Sequence, residues 1–314
     1  MNSILENPVL KFHFNTMEAV REEVNLHRPG DIDRAIDNLQ EWLKKQHHFT
    51  KKDYSREFLE RCLIIQKGSL ERTKQQMERI CSLRTLLPEF FEKYDAGKDF
   101  EDLNECLFAT TLPTLTDDQF RVFVMKFRPT SKPTSDSFMQ MYRYGVLTAE
   151  YIRRHDYHSG IVGILDYRDV NAMDYVAATN IVRFHQMIKI FMDGFGLRIK
   201  GLHMITKSKS IDAFLNLVKK MLGRKVASRF HVHLTINTLF EYLPKNILPF
   251  EFDGYAGSLA HFHEQLKNEL ATENFIEYCK ESSQAKSTQA YEQKDQIYAL
   301  DLGLAGSFRT LNLD

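Results

Sequence analysis

The chain has 314 residues, of which 43% are hydrophobic and 27% charged, and its 42 basic and 42 acidic side chains cancel. A chain of this length holds one large domain or two ordinary ones with a sizeable core, and the composition excludes disordered and fibrous classes. Without net charge there is no whole-molecule field to draw in nucleic acid or a membrane, so an electrostatic partner has to be met by a local patch.

At the N-terminus, Glu6 and Pro8 interrupt the apolar run that a secretory signal needs. No stretch approaches the ~18 consecutive apolar residues of a membrane span. Cys62, Cys81, Cys106 and Cys279 lie far apart without zinc or CxxC spacing, which fits free thiols in a reducing compartment. A soluble, cytoplasmic protein without metal or cofactor is expected.

The first hundred residues read as helices. Asp31 is placed to cap a helix that buries Ile32, Ala35, Ile36, Leu39 and Leu43, with Lys44 and Lys45 suited to its C-terminal end. A second helix is expected over 54–67. Gly68 offers it a left-handed cap, and Ser69 starts the next helix, which turns Leu70, Met77, Ile80 and Cys81 inward until Leu87-Pro88 closes it. These elements make an all-helical unit over 1–105.

From about Leu107 short runs rich in Val, Ile and Phe alternate with longer helical stretches. Strands are expected at Phe120–Phe127, Gly160–Asp166, Gly201–Thr206 and Phe230–Ile236, with helices near 135–154, 172–194, 211–227 and 257–271. This alternation predicts an α/β unit over 106–275 with a mainly parallel sheet. Beyond Phe275 the composition turns polar, and 276–314 reads as a surface-hugging tail.

Between Arg198 and Arg229 stand nine basic residues and a single acid, Asp212. Such a run meets an anionic surface, where each exposed Lys or Arg is worth about 1 kcal/mol, or is simply a solvated face. The same window holds an amphipathic helix with Ile211, Phe214, Leu215, Val218 and Leu222 at helical spacing. Its apolar side can lie on a membrane, cover a pocket or pack as ordinary core.

Catalytic signatures are poor. Gly194-Phe-Gly196 with Gly201 misses dinucleotide spacing and precedes a strand, and neither a Walker loop nor a G-x-S-x-G elbow is present. His231 and His233, like His261 and His263, lack a nearby acidic or cysteine complement for a metal.

Five segments in order carry a resemblance. FLERCLIIQKGSLERTK (58–74) with LRTLLPEFF (83–91), GIVGILDYRDV (160–170), GFGLRIKGLHMI (194–205), RKVASRFHVH (224–233) and LPFEFDGYAGSL (248–259) resemble the CRAL-TRIO lipid-binding family. They are closest in kind to its insect members related to tocopherol and retinaldehyde carriers. The resemblance covers about residues 30 to 275. It implies an N-terminal helical subdomain, then an α/β lipid-binding domain with a helical lid. The positions matching the family's pocket are Tyr142, Gly145, Ala149, Ile161, Leu165, Met187, Ile190, Phe191, Phe195, Ile199 and Leu202, and those matching its lid are Ile211, Phe214 and Leu217. Arg198, Lys200, Lys225 and Arg229 match its phosphate contacts. In this chain Ile64 stands where the family has a headgroup arginine, Thr206 and Ser208 replace its Asn and Pro, and Gly196 replaces the Pro of its aromatic-proline turn.

The implied activity is non-catalytic. One tocopherol, retinoid, carotenoid or related terpenoid would be held in a closed pocket and exchanged at an anionic, phosphoinositide-containing membrane by a monomer that binds no nucleic acid. A signalling or scaffold module with a vestigial pocket is the rival.

Overall fold

The structure is a computed structural model that describes residues 4–130, 132–208, 215, 216, 218, 219 and 222–290. Its helical N-terminal part comprises α1 (Thr16–Glu23), α2 (Asp31–Lys45), α3 (Arg56–Ile65) and α4 (Leu70–Leu86). Helix α2 begins one residue earlier than a cap at Asp31 requires: Gly30 holds the N-cap position at φ 81°, and Asp31 lies in the first turn paired with Arg34 at 2.6 Å. The α3–α4 turn follows the expected punctuation. Gly68 is left-handed (φ 69°) and the Ser69 hydroxyl accepts from Arg72 N. Pro88 cannot donate to a continuing helix, and α4 stops at Leu86.

A short α5 (Glu101–Cys106) leads into a five-stranded sheet in sequential order: β1 (Leu107–Thr111), β2 (Phe120–Phe127), β3 (Gly160–Asp166), β4 (Ile199–Ile205) and β5 (Phe230–His233). β1 pairs antiparallel with β2 and the other pairings are parallel. β1 was not among the expected strands, and β5 stops three residues short of Ile236, which begins a 3₁₀ turn. Parallel strands laid down in sequential order need every crossover to run in the same sense, which puts the connecting helices on one face. That face carries α6 (Ser135–His155), α7 (Ala172–Ala178) and α8 (Ile181–Lys189). The opposite face, with Val122, Val124, Val162 and Ile164, is sealed by Leu239, Leu243, Leu248, Phe252 and Phe262 from the segment after β5.

The helix expected over 172–194 is broken. Thr179 is extended, the Asn180 side chain caps α8 by accepting from Arg183 N at 3.1 Å, and a π-helical turn occupies Ile190–Gly194. α6 starts in a reciprocal capping box between Thr134 and Ser137. Its far end is fixed by Asp156, whose carboxylate grips the fully buried Arg121 at 2.8 and 2.9 Å.

A short α9 (Gly223–Ala227) precedes β5, and α10 (Leu259–Leu270) follows the sealing segment. The polar stretch after Phe275 does not begin as a tail. α11 (Glu273–Ser283) buries Phe275 and Cys279, and the chain then pairs back on the helical part, with Thr288 N donating to His48 O at 2.9 Å. Polar composition hid an amphipathic helix whose apolar positions are few but correctly spaced. Cys62, Cys81 and Cys279 are buried thiols outside any disulfide.

Candidate functional site

A cavity of about 270 Å³ lies between the helical face of the sheet and α6, α7 and α8. β2 contributes Phe123 and Met125, β3 contributes Ile161, Gly163 and Leu165, and β4 contributes Ile199, Leu202 and Met204. On β2 and β3 these residues alternate with those facing the other way, as the pleat dictates. On β4 the spacing from Ile199 to Leu202 breaks that rule. A bulge explains it: Ile161 pairs with Ile199 but Val162 pairs with Gly201, so Lys200 is extra and the strand switches faces there.

No charged side chain lines this cavity among the described residues, and its polar lining is limited to tyrosines and threonines. The Thr148 and Thr179 hydroxyls donate to the Tyr144 and Tyr175 carbonyls, at 3.0 and 2.8 Å. The Tyr142 hydroxyl is buried without a partner, and burial raises its pKa, so it stays a neutral phenol. Among the described residues it is one unsatisfied polar group of the wall.

Of the sequence-selected positions, Tyr142, Gly145, Ala149, Ile161, Leu165, Met187, Phe191, Ile199 and Leu202 are brought together around the cavity. Ile190 and Phe195 are not. Both are buried in the core that joins α2, α3 and α4 to α6, because the π-helical turn rotates them toward the helical part. Gly145 does not face open space: a Cβ there would meet Phe191 Cζ at 2.9 Å. The lid positions Ile211, Phe214 and Leu217 lie outside the described residues.

The cations also divide. Arg198 is held by Glu23 at 2.6 Å, and Lys200 lies 3.6 Å from the same carboxylate with its ammonium over the Phe120 ring. Burial pushes the Glu23 pKa up, but hydrogen bonds from Ser159 and Arg198 outweigh it and keep the group ionised. Arg229 donates to the Ile199 carbonyl beside the bulge. Lys225 is exposed. Lys67, unmarked in the sequence, joins this group: Arg198 and Lys225 are close enough to lower its pKa, and it takes a left-handed φ of 58° after α3. A groove lined by Lys67, Arg72, Arg79 and Arg198, with Asp193 as its acid, adjoins it.

The glycines of the Gly194-Phe-Gly196 segment serve packing. A Cβ on Gly194 would press Ile80 and Leu83 at 3.0 Å, and Gly196 is left-handed (φ 68°) against Gln66. His231 and His233 stack with His203, whose Nδ1 lies 3.0 Å from His233 Nε2. His263 is buried against Ala109 O at 2.9 Å, whereas His261 is exposed. Among the described residues no group of three or more potential metal ligands forms, and no helix is long and apolar enough to cross a membrane.

An α/β layer with helices on one face and an uncharged cavity beneath them defines a binding protein for apolar molecules. Residues 108–254 match the CRAL/TRIO domain and residues 28–99 match the Pinta-like UBA domain. Over residues 108–254 the chain belongs to the CRAL-TRIO family. It is 27% identical to the alpha-tocopherol transfer protein-like protein of Mus musculus over 76% of this chain and 69% of that one. The Homo sapiens and Pongo abelii counterparts are likewise 27% identical over 76% of this chain and 70% of theirs. The solved structure of Sfh5 is 14% identical and superposes with a TM-score of 0.46, covering 95% of this chain and all of that one. Family membership supports lipid binding and transfer as the general activity.

Proposed function

We propose that this chain carries one nonpolar lipid in the cavity between the sheet and α6, α7 and α8 and exchanges it at an anionic membrane surface. The observation that carries the reading is the uncharged lining of that cavity. A lipid of some twenty carbons hides about 0.8 kcal/mol per CH₂ in a bilayer, roughly 16 kcal/mol in all, so unaided escape into water is very slow. A carrier replaces water with an apolar wall at that step. The unpartnered Tyr142 hydroxyl favours a ligand with one hydrogen-bonding group, such as the hydroxyl or carbonyl of a tocopherol, retinoid or related terpenoid.

The membrane half of the proposal rests on the cluster of Lys67, Lys225 and Arg198. Because Glu23 holds Arg198 and Lys200, the exposed Lys225 and Lys67 carry most of the attraction, and selectivity for a phosphoinositide over other anionic lipid is weak. The relatives named for alpha-tocopherol transfer make tocopherols the first ligands to try.

Organic extraction of the purified protein followed by mass spectrometry tests the reading. One lipid per chain, displaced by added tocopherol or retinoid, is the expected result. A protein that returns no lipid and takes up none from vesicles refutes it and leaves the scaffold alternative.

A further inference from the structure

A separate cavity, of about 250 Å³, lies where α3, α4, α6 and α11 meet, and its wall carries Arg61, Arg84, Arg153, Arg154 and Lys51. The acids on that wall, Asp53 and Glu281, both pair loosely with Lys51, and their side chains are 95% and 71% exposed, so water screens them. Glu150, behind the wall, is already committed: it pairs with Arg84 at 2.5 Å and accepts from the Tyr278 hydroxyl at 3.2 Å. Arg154 is tied to the Asn274 side chain at 2.9 Å, and Arg61 donates to the Arg153 carbonyl at 3.0 Å.

Arg153 is the exception. It is 4% exposed, and its Nη2 reaches only neutral groups, Gln76 Oε1 at 3.4 Å and Cys62 Sγ at 3.5 Å, while its guanidinium lies over the Phe58 ring at 4.8 Å. Among the described residues its Nη1 has no partner, and neither has Arg84 Nε. Glu150 attracts this guanidinium without touching it. A guanidinium removed from water with no carboxylate in contact is unfavourable unless something else brings the charge, and buried donors without partners are rare in native structures. Here both lie on the wall of a cavity large enough for a small molecule.

We propose that this cavity is a binding site for a small soluble phosphate monoester. Donors that converge from α4 and α6 suit a tetrahedral dianion better than a planar carboxylate, and the forked guanidinium geometry matches phosphate oxygens. Beside Arg153 the wall also gives the organic part an apolar surface in the stacked rings of Tyr54 and Phe58, 5.0 Å apart and inclined by 12°. Burial raises the Cys81 thiol to about 11, so this side chain adds no competing negative charge. Because the wall is drawn from the helical part, from α6 under the lipid cavity and from α11, an occupied site ties these elements together and stabilises the fold by linkage.

Phenyl phosphate is the probe, with phenol as the uncharged control, inorganic phosphate, and phosphoinositide vesicles as separate arms. Calorimetric titration and thermal unfolding of the full chain should show saturable binding and a rising Tm with phenyl phosphate and none with phenol. Arg153→Met should weaken that binding at least tenfold and Arg154→Gln, which removes a neighbouring cation of the wall, several-fold, while the amount of lipid recovered by extraction stays the same. If Arg153→Met fails to fold, the partly exposed Arg154→Gln carries the comparison. Absence of saturable binding by wild type at millimolar probe, or unchanged binding in the variants, overturns the proposal. Binding of the vesicles alone, lost in the variants, also overturns it, by assigning the site to a lipid headgroup.

Discussion

Replacing Ala149 with leucine separates a cavity wall from packed core by the sign of its effect. Ala149 lies on α6, is 6% exposed and lines the 270 Å³ cavity. If the cavity is free in the protein stripped of lipid, the three added carbons enter it and each gains about 0.8 kcal/mol, so Ala149→Leu should stabilise the stripped protein by about 2 kcal/mol. If the position is packed core, the same carbons cost about 1–3 kcal/mol through overpacking. At about 24 cal/mol per Å³ the unfilled cavity corresponds to a penalty on the order of 6 kcal/mol, which is the scale on which a bound lipid stabilises the fold. Urea unfolding of the stripped protein gives the first quantity, and lipid uptake from vesicles the second. The expected pair is a higher urea midpoint with weaker lipid uptake. A lower midpoint with uptake unchanged would refute the placement of the ligand in this cavity.

Tyr142→Phe should raise the stability of the stripped protein slightly, since it removes an unsatisfied hydroxyl, and lower the affinity for a hydroxyl-bearing lipid by about 1 kcal/mol, read from competition binding. The double reversal Lys67→Glu with Lys225→Glu should slow transfer to anionic vesicles several-fold and leave equilibrium lipid binding intact, with added salt slowing the wild type in the same way. Equal transfer rates in stopped-flow assays would remove the electrostatic step. Burial, with His233 and His231 beside it, holds the His203 pKa down to about 3, so His203 favours the fold fully above its unfolded value near 6.5 and loses that contribution as pH falls toward 3. Between pH 6.5 and 5 the loss is about 2 kcal/mol. Chemical unfolding at the two pH values should show it, and His203→Gln should flatten the dependence.

The sequence determined the first helices and the succession of β2, β3, β4 and β5, because the signals involved are local, but it missed β1 and α11. The bounds of β2 and β3, the left-handed Gly68 and the Ser69 cap follow from apolar runs and turn chemistry that neighbouring residues enforce. Through a family resemblance it also picked out nine positions that line the cavity, four on β3 and β4 and five on α6, α8 and the π-helical turn. What only the tertiary structure decided is which face each residue takes and which distant groups meet. Strands buried on both faces read as continuous apolar runs, so neither the bulge at Lys200 nor the turn that moves Ile190 and Phe195 into the core leaves a local mark. Glu23 against Arg198, and the arginines of α3, α4 and α6 around one cavity, are brought together by packing of elements far apart in the chain, and charge counted along the sequence cannot see it.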